Sequence, residues 1–178
     1  MHPVTQLRQY DEQFRALARG LPGGKVDAGA VWRAIGFRVS GVQLAASMEQ
    51  VREILTEPQV SRVPGSRPWV KGLANVRGRL VTVVDLPQFL RMDRDGASNR
   101  TASRALYVEQ GDLAVGLLVD EVYGARQFPE DGRVSDLGET ADALRPYATG
   151  RMINNADAWL VVDVGRILSD PSFLNAAA

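Results

Sequence analysis

Few side chains in this sequence have much chemical reach. Histidine occurs once, at His2, lysine twice, at Lys25 and Lys71, and cysteine not at all. A Ser-His-Asp relay therefore has no firmly positioned base, because His2 stands at a terminus, where chains fray. Zinc sites built from Cys and His are excluded, as are disulfides and thiol nucleophiles. A phospho-accepting histidine within a helix is missing too. Carboxylates, the two lysines and the tyrosines remain. Asp120 and Glu121 are adjacent and suggest an acid–base pair, but strand neighbours point to opposite faces and cannot readily share a substrate. Asp85 and Asp163 each precede a short apolar run, which suits a helix N-cap better than a ligand. The expectation is a protein without catalytic groups, cofactor or metal.

The arginines raise a different possibility. The stretch GLANVRGRLVTVVDL, from Gly72 to Leu86, is apolar except at Arg77-Gly78-Arg79. A solvated hairpin turn explains this simply, since glycine accepts positive φ and arginine tolerates water. A surface read by another protein explains it as well, because the planar guanidinium fork binds carboxylates across an interface. Residue types alone favour the plain turn.

The elements that must position these groups follow from periodicity. The chain has 178 residues and zero formal net charge, enough for one domain or two small lobes. Charge balance argues against nucleic acid, which demands a basic stripe. No apolar run reaches membrane-spanning length, and MHPVTQLRQYDEQF lacks the apolar core of a signal peptide, so a cytoplasmic location is expected. Leu7, Tyr10, Phe14, Leu17 and Leu21 predict an amphipathic helix over 6–19, which either packs on the body or docks a partner. GLPGGKVDAGA reads as a linker completing a segment 1–30. From Val31 onward, short apolar runs alternate with turns. A hairpin pivots at Ser40-Gly41, VREIL and VSRVP read as short strands, and SRPWVKG as a helical turn. A second hairpin pivots near Arg77-Gly78 and runs into a short helix, LPQFLRM. After a polar loop come a strand, a turn at Gln110-Gly111-Asp112 and further strands. Residues 173–178 read as a frayed tail, leaving 31–172 as a mainly β body of barrel or sandwich type.

The body contains an internal repeat. With Arg67 laid on Arg145, RPWVKGLANVRGRLVTVVDLPQFL matches RPYATGRMINNADAWLVVDVGRIL without a gap. Trp69 meets Tyr147, Gly72 meets Gly150, and Val83-Val84-Asp85 meets Val161-Val162-Asp163. A weaker match lays LAASMEQV on GLLVDEVY, with Val51 near Val122. Two copies of one small β unit are expected. The copies agree at strand ends and caps and disagree at the hairpin tip, where Asn75, Arg77, Gly78 and Arg79 face Ile153, Asn155, Ala156 and Asp157. A tip present in one copy is a candidate for function.

Four segments in order carry a family resemblance over about residues 31–170. GLANVRGRLVTVVDL, FRVSGVQLAASMEQVREIL, GLLVDEVYGA and YATGRMINNADAWLVVDVGRIL resemble the signature, opening hairpin, second-lobe segment and closing hairpin of CheW-like adaptor domains. The resemblance implies two five-stranded, SH3-like β-barrel lobes with a groove between them. It also implies a non-catalytic adaptor that couples the cytoplasmic tips of methyl-accepting chemoreceptors to the regulatory domain of a chemotaxis-type histidine kinase in membrane receptor arrays. LARGLP, Trp32–Arg38 and PWVKGLANVRGRL resemble, more narrowly, the adaptors of type IV pilus twitching-motility systems; the same role in flagellar chemotaxis is the alternative, and an enzyme on a β-barrel scaffold is the reading of a different class, which a deep pocket with converging carboxylates and lysines would favour. By motif match, Glu53, Asn75, Arg77 and Gly78 fall on partner-coupling positions of the first lobe, and Gly116, Asp120, Val122 and Ala125 on those of the second. Glu53 could pair with Arg77 and orient it. Val51, Ile54 and Val122 offer apolar area to an interface or, equally, to the core. Two residues depart from the pattern: Ala125 stands where a larger aliphatic is usual, and Thr82 where proline is common.

Overall fold

A computed structural model describes residues 29–93 and 104–176. The helix expected over 6–19, nearly all of its linker and nearly all of the polar loop after Met92 lie outside these residues. The strands are β1 (Val31–Val39), β2 (Val42–Ser47), β3 (Glu53–Thr56), β4 (Val70–Val76), β5 (Arg79–Asp85), β6 (Arg104–Gln110), β7 (Leu113–Val119), β8 (Glu121–Pro129), β9 (Arg133–Val134), β10 (Ala148–Asn154) and β11 (Asp157–Val162). They form a five-stranded sheet in the order β3-β6-β7-β5-β4 and a six-stranded sheet in the order β8-β1-β2-β11-β10-β9. These are the two expected lobes, the second carrying one short extra strand.

The repeats are not the lobes. β3, β4 and β5 of the first copy pair with the β6–β7 hairpin of the second, through parallel contact of Thr82–Asp85 with Val115–Leu118. The β1–β2 hairpin of the first copy joins β8, β10 and β11 of the second, through parallel contact of Leu44-Ala45 with Leu160-Val161. The copies have exchanged hairpins. A self-alignment reveals which segments fold alike but not which copy each pairs with, so the exchange is invisible in sequence. It makes the lobes inseparable. One core cluster runs through both, drawing Phe37, Val39 and Leu44 from one sheet and Leu106, Val115 and Leu117 from the other. β1 is buried on both faces over Ala34–Phe37, which is why AIGF lacks polar alternation.

Duplicated residues occupy equivalent places. Asp85 N–H donates to the Trp69 carbonyl and Asp163 N–H to the Tyr147 carbonyl, each at 2.8 Å. Asp85, 3% exposed, caps the helix Leu86–Phe89 by accepting from Gln88 N at 3.1 Å. Asp163 caps Val164–Leu168 by accepting from Gly165 N at 2.9 Å. Both aspartates are the caps expected of them. Gln50 links the copies, donating to Asp163 Oδ1 at 2.8 Å and accepting from Val164 N at 3.2 Å. Both closing hairpins carry a bulge at the same point, between Val70 and Gly72 and between Ala148 and Gly150. A Cβ at Gly72 would lie 2.1 Å from the Ser61 carbonyl oxygen, and at Gly150 2.5 Å from that of Val134. Glycine is repeated because another backbone crosses there in each lobe. In the second lobe that crossing backbone is β9; in the first it is the isolated bridge from Ser61 to Leu73. VSRVP, expected as a strand, contributes only this bridge, because Pro64 and Gly65 turn the chain away. SRPWVKG ends its turn before Val70, where β4 already begins.

The expected tail starts too early at 173. Pro171–Leu174 form a helical turn capped by Asp170, and Phe173, 3% exposed, is buried. Its ring lies 5.7 Å from Trp69 and 5.1 Å from Phe89. The Tyr147 hydroxyl, packed beside this cluster, donates to Asp170 Oδ2 at 2.7 Å. Burial pushes the Tyr147 hydroxyl pKa up, with Asp170 adding to the shift, and the same hydrogen bond holds the Asp170 carboxyl below the usual range.

Two predictions follow from this architecture. Gly72→Ala and Gly150→Ala each force a side chain onto backbone and should cost about 1–3 kcal/mol in urea unfolding, with similar losses in both lobes. Tyr147→Phe should cost about 1 kcal/mol at neutral pH. The signs fix its pH profile. The depressed Asp170 pKa contributes stability above the ordinary aspartate value near about 4, lost as pH falls. The raised Tyr147 pKa contributes stability below about 10, lost as pH rises. The wild-type advantage over Tyr147→Phe should therefore be flat between about pH 4 and 10 and shrink on both sides, as read by denaturant titration across pH.

Candidate partner-binding site

The arginine-flanked glycine sits at the tip of the β4–β5 hairpin. Arg77 (φ 52°) and Gly78 (φ 81°) both lie in the left-handed region, as a two-residue type I′ turn requires. Asn75 Oδ1 accepts from Gly78 N at 2.9 Å and ties the turn across its mouth. The two arginines then diverge. Arg79 Nη1 meets Glu109 Oε1 at 2.8 Å and Arg79 Nη2 donates to the Asp112 carbonyl at 3.3 Å, clamping the tip to the β6–β7 hairpin. Glu109 also accepts from the Tyr107 hydroxyl and stands 3.7 Å from Arg52. The Tyr107 hydrogen bond first, then Arg79 and Arg52, hold the Glu109 carboxyl below its ordinary range. Arg79 thus serves the fold.

Arg77 does not share that role. Its side chain is 79% exposed and touches Glu53 Oε1 through Nη2 alone, at 3.1 Å. Glu53 opens β3, an edge strand of this lobe, where it registers with Tyr107. The pairing of Glu53 with Arg77 is as anticipated. It lies at the surface and leaves most of the five-donor fork toward solvent. An exposed single-point pair of this kind contributes little to stability. The structure thus brings Glu53, Asn75, Arg77 and Gly78 together. It adds Leu80, opposite Asn75 in the ladder and 66% exposed, which the sequence reading missed. Strand alternation held the signal: Val81 and Val83 face inward, so Leu80 faces out.

The four second-lobe candidates do not converge. Gly116 is buried in β7 of the first lobe, with an added Cβ meeting Ala105, Val81 and Val83 at 3.6–3.7 Å. A buried strand position cannot present itself to a partner, so its assignment to a second-lobe surface is corrected. The hairpin exchange is the cause. Asp120 precedes β8 and serves the β1–β2 turn: its Oδ2 accepts from Ser40 N at 2.6 Å, and its N–H donates to the Arg38 carbonyl at 3.0 Å. Glu121 meets Arg38 at 3.2 Å. Both carboxylates therefore engage the same hairpin, contrary to the opposite-face expectation, because Asp120 lies outside the strand. Val122 and Ala125 lie on β8, an edge strand of the second lobe. Val122 pairs in register with Phe37 and packs half-buried on the main core, while Ala125, opposite Ile35, is exposed. Val51 is buried in the same core and Ile54 packs against it. Among the described residues, no cluster of three or more His, Cys, Asp or Glu could hold a metal, and no helix is long and apolar enough to cross a membrane.

Comparison with known proteins agrees with this geometry. The family model described as CheW-like domain matches residues 33–172. Protein PilI of Pseudomonas aeruginosa is 38% identical over 175 residues, spanning 98% of this chain and 96% of that protein. Chemotaxis protein CheW of Thermotoga maritima is 24% identical, over 81% of this chain and 92% of its own. Protein FrzA of Myxococcus xanthus is 29% identical over 74% and 82%. The crystal structure of the scaffolding protein TtCheW from Thermoanaerobacter tengcongensis superposes with a TM-score of 0.68 at 17% identity, over 80% of this chain and 96% of that one. With its duplicated β body, its single-copy Arg-Gly tip and a family match across most of its length, the chain belongs to the CheW-like domain family.

Proposed function

We propose that this protein is a non-catalytic adaptor that couples methyl-accepting chemoreceptors to a chemotaxis-type histidine kinase, in the control of type IV pilus twitching motility. Near end-to-end similarity to a protein named PilI carries this reading. In it, the body from residue 31 through the Pro171–Leu174 turn is the coupling domain and 1–30 an appended helix and linker. The protein works in the cytoplasm and is recruited to membrane receptor arrays. The Arg77 tip contacts the kinase regulatory domain or the receptor tip, with Glu53 fixing the guanidinium, Asn75 and Gly78 shaping the turn, and Leu80 giving apolar area. Val122 and Ala125 on β8 form a second contact. Interfaces of this kind place apolar area beneath a polar rim, and arginine is enriched in them.

The test is co-elution of the purified chain with a kinase regulatory domain and a receptor tip; failure to bind both ends the coupling reading. Deletion of the gene should abolish twitching and spare swimming, whereas the reverse favours the flagellar role. Arg77→Glu should weaken co-elution at least about tenfold, because reversal places like charges across a contact. It should move Tm by less than about 4 °C, since the Glu53 pair is exposed. A large drop in Tm with unchanged binding assigns Arg77 to the fold alone.

A further inference from the structure

The first lobe carries positive charge that the duplication does not require. Two surface hollows of about 380 and 420 Å³ adjoin by sharing Arg67 and Pro68. Arg62, Val63 and Lys71 line the first; Trp69, Phe89 and Arg91 line the second. Among the described residues, no carboxylate lines the first hollow. Asp170, at the second, already accepts from the Tyr147 hydroxyl at 2.7 Å and from Ser172 N at 2.8 Å. Lys71 Nζ is shared between Gln88 Oε1 at 2.9 Å and Asp85 Oδ2 at 3.9 Å, so the exposed arginines Arg62, Arg67 and Arg91 supply most of the field.

The internal repeat separates fold from function here as well. In the second copy Lys71 becomes Thr149 and Arg91 becomes Ser169, and the place of Arg62, next to the crossing residue Ser61, is taken by Ser135, next to the crossing residue Val134. The counterpart of Arg67, Arg145, stands 3.5 Å from Asp142 and donates to the Gly138 carbonyl at 3.2 Å. The same architecture thus forms without the cationic cleft. Arg91 also sits at φ 55°, a conformation that asparagine and glycine adopt more readily than arginine.

We propose that this cleft binds an extended acidic segment of a partner protein. Its carboxylates lie against Arg62, Arg67 and Arg91, and one of its apolar side chains lies against Val63 and Trp69. Trp69 is half-buried, with Phe89 edge-on to it at 5.1 Å, so the cleft combines an aromatic wall with a cationic rim. That combination suits mixed acidic and apolar side chains. An anionic bilayer instead attracts clusters of cations on an open surface, and nucleic acid is disfavoured by the zero net charge. The inference does not depend on the coupling role above, which concerns the Arg77 tip.

The experiment is fluorescence anisotropy with a fluorescein-labelled peptide of glutamates interrupted by leucine and tryptophan, added to the full chain. Binding should weaken as NaCl is raised. It should weaken about tenfold in Arg62→Glu and in Arg91→Asn, and stay unchanged in Arg33→Glu on the other lobe. Asparagine tolerates the left-handed backbone at 91, so that variant keeps the test valid if Arg62→Glu fails to fold. The proposal is overturned if the peptide does not bind, or if all variants bind it equally. It is also overturned if inorganic phosphate or phosphatidylserine vesicles bind through these arginines while the peptide does not.

Discussion

Two parallel strand contacts, β5 with β7 and β11 with β2, hold this molecule in its form. Each joins a strand of one sequence copy to a hairpin of the other. Neither lobe can form from one copy alone, because each needs a hairpin that the other copy supplies. The shared core follows, since Phe37 and Leu44 meet Leu106 and Leu117 in one continuous cluster. Gln50 reinforces the exchange by reaching from the first copy to the cap of a helix in the second. Long-range pairings of this kind are costly to close during folding, and their reward is a body whose two lobes cannot be pulled apart independently.

On that frame the duplicated residues meet structural demands. Asp85 and Asp163 cap helices, Trp69 and Tyr147 supply carbonyls to those aspartates, and Gly72 and Gly150 clear space for a crossing backbone. The unduplicated residues are released from them. Arg77 and Leu80 are exposed at a tip whose counterpart carries Asn155 and Ala158. Arg79 is the exception within the tip, unduplicated yet bound to Glu109. Divergence between copies therefore nominates a residue, and the contacts decide.

Much of this was legible in the sequence. The hairpins at Ser40-Gly41 and Arg77-Gly78, both caps and the approach of Glu53 to Arg77 follow from turn chemistry, capping rules and motif match. What was not legible depends on partners distant in the chain. Gly116 reads as a second-lobe surface position until the hairpin exchange places it inside the first lobe. Asp120 reads as a strand residue until its bond to Ser40 shows it bracing a turn. Phe173 reads as tail until Trp69 is seen to stack on it and Phe89 to meet it edge-on. β9 is too short to carry an alternating pattern, and only the crossing at Gly150 reveals it.

The most direct measurement is amide chemical-shift mapping of isotopically labelled protein during titration with a chemotaxis-type kinase regulatory domain or a receptor tip. Shifts should concentrate at residues 53 and 75–80 and leave the equivalent tip at 153–157 unchanged. Equal shifts at both tips, or shifts confined to positions that the two copies share, would contradict the division between a duplicated scaffold and a single-copy recognition tip.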